Sequence, residues 1–256
     1  MKILVCVKQV YDPEASVHPS DDATWVALDD DTFVMNRFDT YAVEEALRIR
    51  EEIPATIDVI SVGPDRAEAV VRRAMGMGAD HGIHIFTRSE GYQNPFETAG
   101  LIAGYATDKG YDLVLAGVMS SDDMNGMVGQ LIAEFLHFPC ATSVISRQRM
   151  PESGRIRVER EMEDGWRDKL EIQLPALLTV QSGINQPRYP ALSKMLRANS
   201  YPVEVIRPES LNPPSFPLFI NQTALPVKTR AGRFIDGTPV EKACQLIGIL
   251  KTRLAA

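Results

Sequence analysis

The sequence predicts an α/β protein with a mostly parallel sheet, a β-hairpin insertion and an extended C-terminal arm that ends in a helix. Three observations support this prediction. Short apolar runs alternate with helical patterns up to about residue 140, strand-like segments then flank a turn signal, and a proline-rich stretch precedes a well-marked last helix. Strands and helices that alternate at this spacing indicate parallel strands joined by right-handed crossovers.

The first half of the chain contains the predicted core. Four runs rich in Val and Ile are typical of strands covered on both faces, and they lie at residues 3–8, 57–62, 82–86 and 112–116. Helices are predicted between and after them, at residues 39–52, 64–78, 94–110 and 126–138. Asp65, with Glu68 three residues later, and Asn94, followed by Pro95, are typical N-terminal caps. Gly76 and Gly78 suit a C-terminal stop.

After about residue 140 the pattern changes. Residues 154–161 and 168–174 alternate apolar and polar positions around Asp164-Gly165, which predicts a β-hairpin. PALLTVQ then predicts another buried strand, and residues 186–230 form a proline-rich segment expected to wrap over a surface. Thr238, Pro239 and Glu241 predict a capping box before the last helix. The arm either attaches to a partner or packs on its own domain, and the pattern leaves both open.

Composition excludes several classes of protein. The chain has 256 residues, 45% of them hydrophobic, which is enough for a sizeable core. Its net charge of -7 argues against non-specific binding to nucleic acid. Three distant cysteines form neither a metal motif nor a disulfide framework, which favours a reducing, cytoplasmic location. Lys8 interrupts the short apolar opening, so we predict a first strand there rather than a signal peptide, and no run approaches the ~18 apolar residues of a membrane span.

The loop GVMSSDDMNGMVG, residues 117–129, is the candidate ligand site. It follows a predicted strand and enters a helix, which is where open α/β sheets bind ligands. Its glycines allow close approach, and helix N–H groups can receive an anion. The loop holds no Lys or Arg, so phosphoryl transfer is disfavoured, and Asp122 and Asp123 would repel a triphosphate unless they cap N–H groups or meet a metal. We predict a nucleotide with a small phosphate, while a plain scaffold loop is the alternative.

No self-sufficient active site is predicted, neither catalytic residues nor a metal centre. The four histidines, His18, His81, His84 and His137, share no face with a nucleophile and are interpreted as structural. Cys6 lies in the first strand as a buried small hydrophobe, and Ser120-Ser121 lacks a nucleophile elbow. No dinucleotide fingerprint follows any strand. The chain is therefore interpreted as a binding module or as one subunit of a larger assembly.

The chain resembles the beta subunit of electron transfer flavoproteins over nearly its whole length. The most specific segment is VEREMEDGWRDKLEIQLPALLT, residues 158–179, in which Arg160 precedes an acid-acid-Gly turn. Asp168 stands where the family prefers Glu or Gln. MNRFDTYAVEEAL also resembles a family segment, with Arg37 in place of the usual proline, as do MGADHGIHI and INQPRYPALSKM.

The resemblance implies a Rossmann-like adenine-nucleotide-binding domain at residues 1–215 and an arm at 216–256 that contacts an alpha subunit. The heterodimer would carry electrons through FAD, from acyl-CoA or other dehydrogenases to an acceptor such as a quinone oxidoreductase. FAD would lie mainly on the alpha subunit at the interface, with Phe38 facing its dimethylbenzene edge, and AMP would be structural. By family position the cofactor-binding residues are Cys6, Asn36, Phe38, Asp39, Val62, Gly117, Ser121, Asp122, Asn125, Gly126, Met127, Val128, Gly129 and Gln130.

A docking segment is also implied, at RYPALSKMLRA, residues 188–198. Leu192, Met195 and Leu196 recur at helical spacing, and Leu192 matches the anchoring leucine of the family's recognition loop for a dehydrogenase. The family's lysine cluster is replaced here by ANSYPVEV. The alternative is an apolar stripe that packs on the domain.

Two other functions stay open at the level of sequence. One is an electron-bifurcating flavoprotein subunit, in which a second FAD replaces AMP. The other is a free-standing, non-redox sensor of adenine nucleotides. The hairpin and the proline-rich arm argue against the sensor, which would end near the last core strand.

Overall fold

A computed structural model describes residues 1–21, 25–28, 32–88, 91–150, 153–211, 223–225, 232 and 234–254. The chain divides into two compact units, Met1–Thr223 and Ala224–Ala256. The predicted boundary between residues 215 and 216 lies outside the described residues.

Strands and helices alternate through the first unit. In chain order the strands are β1 (Lys2–Cys6), β2 (Gln9–Tyr11), β3 (Val17–Pro19), β4 (Val26–Leu28), β5 (Phe33–Met35), β6 (Thr56–Gly63), β7 (His81–Phe86), β8 (Leu113–Gly117), β9 (Cys140–Met150), β10 (Arg155–Glu161), β11 (Arg167–Gln173), β12 (Ala176–Val180) and β13 (Val203–Ile206). The α-helices are α1 (Arg37–Glu52), α2 (Glu68–Met77), α3 (Pro95–Ala106), α4 (Val128–Leu136) and α5 (Leu192–Ala198), and the second unit contributes α6 (Pro239–Leu254).

The central sheet has a reversal of strand order. Within the described residues nine strands form it, in the order β11-β10-β9-β12-β8-β1-β6-β7-β13. The strands from β9 to β13 in that order are parallel, and β10 and β11 form an antiparallel hairpin at one edge. The predicted α/β fold and hairpin are confirmed. From β1 the chain builds β6 and β7 on one side and then returns to β8 on the other, which makes a switch point between β1 and β8.

Helices cover both faces of this sheet. Because successive strand residues point to opposite faces, Ile3 and Val5 of β1 join a core with α1 and α2. Leu4 of the same strand joins a second core with α3 and α4, where Ile102 and Ile132 pack. Burial on both faces explains why the central strands read as continuous apolar runs.

Three predicted helix ends are confirmed. The Asn94 side chain accepts a hydrogen bond from the Phe96 N–H at 2.9 Å, which caps α3. Gly78 ends α2 with a φ of 137°, which only glycine adopts readily. Glu241 accepts from the Thr238 N–H at 2.8 Å, and this capping box opens α6.

The predicted start and stop of α2 are partly wrong. Asp65 opens a short 3₁₀ turn, and the N-cap of α2 is Ala67; in the described part of the chain no side chain caps this end. Glu68 instead pairs with Arg72 one turn later, at 2.6 Å. Gly76 lies inside the helix rather than at its end, in close contact with the Met195 side chain. The Glu68–Arg72 pair within α2 and the packing of Gly76 against α5 are found where a cap and a stop were predicted.

The proline-rich segment is more regular than predicted. It contains α5 and β13, and β13 pairs in parallel with β7 at the sheet edge. Residues 212–222 and 226–230 of that predicted segment lie outside the described residues.

The last helix presents apolar side chains. Val240, Leu246 and Ile247 of α6 are exposed. Among the described residues, no helix is long and apolar enough to cross a membrane.

Candidate functional site

A cleft opens at the switch point of the sheet. The ends of β1 and β8, the residues before α1, and the starts of α3 and α4 contribute to it. It is partly enclosed by these elements and opens to solvent at its mouth. Its lining residues are Cys6, Val7, Lys8, Asn36, Asp39, Val62, Gln93, Pro95, Thr98, Ile102, Ala116, Gly117, Met119, Ser120, Asp123, Asn125, Gly126, Val128 and Gly129.

The structure brings most of the predicted nucleotide contacts together. Those that line the cleft are Cys6, Asn36, Asp39, Val62, Gly117, Asn125, Gly126, Val128 and Gly129. As far as the described residues define the lining, Phe38, Ser121, Asp122, Met127 and Gln130 lie outside it. Lys8 and the residues of α3 were not predicted from the sequence, because the topology of the sheet, and not a local motif, brings them to the cleft.

Asp39 joins the ends of the two central strands. Its carboxylate accepts the Lys8 N–H at 2.7 Å and the Gly117 N–H at 3.1 Å. Burial raises the pKa of Asp39 to about 7, opposed by its hydrogen bonds and by the nearby Lys8 charge. A side chain on Gly117 would collide with Asp39 and Phe38, so this junction requires glycine. Asp39 therefore links the chain just after β1 to the end of β8 at the cleft.

Asn36 attaches the loop after β8 to the end of β1. It is buried, and its backbone N–H donates to the Lys8 carbonyl at 2.9 Å. Its side chain donates to the Met119 carbonyl at 2.9 Å and accepts the Ser121 N–H at 3.2 Å. One residue thus positions both sides of the cleft.

The two loop acids share one lysine from another part of the chain as a counter-charge. Lys8 Nζ lies 2.8 Å from an Asp122 oxygen and 3.6 Å from an Asp123 oxygen. Asp122 also accepts the Asp123 N–H at 2.9 Å, and Asp123 accepts the Asn125 N–H at 3.0 Å and the Ser120 hydroxyl. Of the two alternatives given by the sequence, N–H capping or a metal, the described residues show capping, and a cation is supplied by the chain just after β1.

The start of α4 offers hydrogen-bond donors to the cleft. Its first backbone bond runs from the Leu131 N–H to the Met127 carbonyl at 3.0 Å. Among the described residues, the N–H groups of Val128, Gly129 and Gln130 find no acceptor. Glycine at position 129 lets this end of the helix pack closely against β12. A Cβ at this position would lie only 2.5 Å from Thr179 Cγ2. Such a helix end, with its positive dipole, is suited to an anion.

The other chemical candidates have structural contacts. His84 is buried and lies 3.0 Å from the Gly63 carbonyl, and His81 lies 2.8 Å from an Asp58 oxygen. His137 ends α4 in the left-handed conformation. Cys6 is buried, and burial, with a smaller contribution from Asp39, raises the pKa of its thiol. Within the described residues no group of three or more His, Cys, Asp or Glu side chains is placed to hold a metal ion.

The predicted docking residues lie on a short helix at the surface. Leu192 is 75% exposed and Leu196 is 63% exposed, and Tyr189 just before them is 87% exposed. Met195 is half-buried and contacts Gly76 of α2. One side of α5 therefore packs on the domain while its leucines point outward.

Fold and cleft together define the first unit as an α/β domain of the Rossmann-like class. Residues 24–211 match the family model of the electron transfer flavoprotein domain. The chain is 30% identical to the electron transfer flavoprotein subunit beta of Methylophilus methylotrophus, over 98% of both chains. It is 29% identical to the subunit of that name in Bacillus subtilis over 98% of both chains, and 35% identical to the one in Homo sapiens, over 82% of this chain and 83% of the human chain. The chain belongs to the beta-subunit family of electron transfer flavoproteins, as the sequence predicted.

Proposed function

We propose that the chain is the beta subunit of a heterodimer that carries electrons through FAD. It binds one AMP as a structural ligand and pairs with an alpha subunit that holds most of the FAD. The bound FAD supplies the redox chemistry and links dehydrogenases, such as acyl-CoA dehydrogenases, to an acceptor such as a quinone oxidoreductase. Family membership supports this role, and a non-redox sensor is disfavoured for the same reason.

The observation that supports AMP is the composition of the cleft. Val62, Ile102 and Val128 give it an apolar surface suited to a base, while the first N–H groups of α4 suit a phosphate. Lys8 is already engaged by two carboxylates, so little positive charge remains for a second or third phosphate. A ligand that binds only the folded chain stabilises it by mass action.

Nucleotide content tests this proposal directly. The heterodimer is purified natively and precipitated with acid, and the supernatant is separated by chromatography. We expect about one AMP per chain, as for a tightly held ligand, and a supernatant without adenine nucleotide would contradict the proposal. Titration of the nucleotide-free heterodimer should rank AMP above adenosine, which lacks the phosphate, and above ATP, whose outer phosphates approach Asp122 and Asp123.

A second candidate has one specific observation in its favour. A further cavity adjoins the cleft and shares Lys8, Val62 and other residues with it. Its aromatic side chains include Trp25 and Tyr92, whose rings lie 5.0 Å apart. A second FAD could place its adenylate in the cleft and its flavin among these rings. The same chromatogram would then show FAD in excess of one per heterodimer and little AMP.

The FAD site needs the alpha subunit, because no strand of this chain is followed by a dinucleotide fingerprint. Expressed alone the chain should be colourless, and co-expressed with the alpha subunit it should be yellow. The exposed apolar side chains of α6 support a contact with that subunit through residues 216–256. Truncation after residue 225 should weaken the heterodimer more than it destabilises the sheet; flavin bound tightly to the isolated chain would contradict the proposal.

We assign docking of the partner dehydrogenase to the exposed leucines of α5. Leu192 and Leu196 form an apolar anchor beside Lys194 and Arg197, both exposed. A small apolar anchor with a polar surround is typical of a transient interface in which few residues dominate affinity. Met195, on the other side of α5, packs against Gly76 of α2 and holds the helix on the domain.

A further inference from the structure

The segment that contains Leu192 is fastened on its N-terminal side to α1. Arg188 donates through its backbone N–H and its Nε to one oxygen of Glu44, at 3.0 and 2.8 Å, and through Nη2 to the other oxygen at 2.8 Å. Nη2 also reaches Glu51 at 2.8 Å. Only 6% of the Glu44 side chain is exposed. A forked, charge-assisted contact of this kind constrains direction as well as distance.

The preceding residues strengthen this attachment. Asn185 donates to the Tyr41 carbonyl at 3.0 Å and to a Glu45 oxygen at 2.8 Å. Glu45 is held in turn by Arg147, at 2.6 Å, and both of these side chains are only 5% exposed. The chain just before Tyr189 is therefore held against the surface of α1 in a defined direction.

A second arginine holds the C-terminal side of the segment. Arg72 of α2 donates through Nη1 to the carbonyls of Ala198, Asn199 and Tyr201, at 2.9, 2.9 and 3.1 Å. These carbonyls lie at and just beyond the C-terminal end of α5, where helix geometry leaves backbone acceptors without i+4 partners. Glu68 orients the guanidinium by contacts at 2.7 and 2.6 Å.

We propose that Arg188 and Arg72 are positioning residues that preorganise Tyr189, Leu192 and Leu196 for docking. The inference rests on the docking role proposed above for Leu192. A surface segment of exposed apolar side chains would otherwise have to be ordered when the partner binds, and ordering weakens affinity. Lysine cannot reproduce either set of contacts with its single nitrogen. The Arg188 guanidinium reaches both oxygens of Glu44 at once. The Arg72 guanidinium holds Glu68 through Nε and Nη2 while Nη1 donates to the carbonyls.

The test compares Arg188→Lys and Arg72→Lys with Arg50→Lys in the intact heterodimer. Arg50 of α1 is the matched control, since it pairs with Asp80 at 3.0 Å and, among the described residues, has no hydrogen bond or ion pair to residues 188–198. Hydrogen exchange of residues 189–198 and trypsin cleavage after Lys194 or Arg197 report the order of the segment without any partner. We expect faster exchange and cleavage in the two test variants only, with nucleotide content and flavin content unchanged.

Electron transfer from an acyl-CoA dehydrogenase reduced by its own substrate then reports docking. The KM for the dehydrogenase should rise about 3- to 10-fold in Arg188→Lys, while kcat at saturation stays the same. In a Leu192→Ala background the same substitution should raise KM by a smaller factor, because part of its effect acts through that anchor. Unchanged exchange and cleavage, or fully additive effects on KM, would overturn the inference. If Leu192→Ala alone left KM unchanged, the docking role itself would fail, and the exchange result would then show only a structural role for the arginines.

Discussion

Replacement of Lys8 by Gln tests the electrostatics of the cleft. The ammonium lies 2.8 Å from Asp122 and 3.6 Å from Asp123, whose side chains are only 8% and 12% exposed. At an effective dielectric of about 20, the closer pair has a gross attraction of about 6 kcal/mol. The Lys8 side chain is 40% exposed, so solvent screens most of this attraction. We expect a net loss of about 2 kcal/mol in unfolding free energy from the poorly solvated carboxylates, or about 4–8 °C in Tm.

The same substitution should weaken the binding of AMP. Two uncompensated carboxylates beside the anion site repel its phosphate, and we expect Kd to rise about 10-fold, equivalent to ~1.4 kcal/mol. Calorimetric titration of the nucleotide-free heterodimer measures the affinity, and thermal unfolding measures the stability. Lys169→Gln is the matched control, because Lys169 is 71% exposed and pairs with Glu159 at 3.0 Å on the hairpin.

A compensating variant makes this reasoning refutable. In the Lys8→Gln background, Asp122→Asn removes one repulsive charge while the amide oxygen can still accept the Asp123 N–H. AMP affinity should recover towards the native value. If Lys8→Gln left both Kd and Tm unchanged, or if Asp122→Asn restored nothing, the lysine would not be the counter-charge of the loop.

Three further predictions concern other parts of the chain. Gly129→Ala should lower the free energy of unfolding by about 1–3 kcal/mol and weaken AMP binding, because the new Cβ would lie 2.5 Å from Thr179 Cγ2. Gly248→Ala in α6 is the control, since a Cβ there meets nothing within 4 Å. Equal effects of the two substitutions in thermal melts would contradict the packing argument. Asp39 has a pKa raised to about 7, so the folded chain holds a proton that the unfolded chain releases at about pH 4, and unfolding free energy should fall as pH rises from about 4 to 7. In denaturant titrations Asp39→Asn should flatten this slope, and identical slopes would argue against the titration. Leu192→Ala should leave flavin content and Tm nearly unchanged but raise the KM for the dehydrogenase; a large fall in Tm would show that Leu192 belongs to the core.

The central strands were predictable because burial on both faces leaves a local mark in the sequence. β1, β6, β7 and β8 each lie within about two residues of their predicted positions, as is usual for element ends. β13 left little local signal, since it is a short edge strand with Val205 exposed, and its partner β7 lies far away in sequence. Asp65 shows the opposite failure, in which a plausible local cap gave way to a 3₁₀ turn and to the pairing of Glu68 with Arg72.

The chemistry of the cleft was harder to predict than its position. The loop after β8 could be placed at the carboxyl edge of the sheet from strand order alone. Its counter-charge could not, because Lys8 and Asp122 are separated by 114 positions. The same holds for Asp39 and Gly117, which are 78 positions apart and meet only when β1 and β8 become neighbours. Contacts of this range depend on topology, which a local motif does not encode.

Helix α1 contributes both to the cleft and to the attachment of the segment that precedes α5. Asp39 lies in its first turn at the cleft, while Glu44 and Glu51 lie further along it and bind Arg188. Each residue of an α-helix advances about 1.5 Å and turns about 100°. One residue inserted between Asp39 and Glu44 would therefore swing both acids away from Arg188 while leaving the cleft intact. The number of residues between Asp39 and these acids is therefore as much a requirement of the two contacts as the side chains themselves.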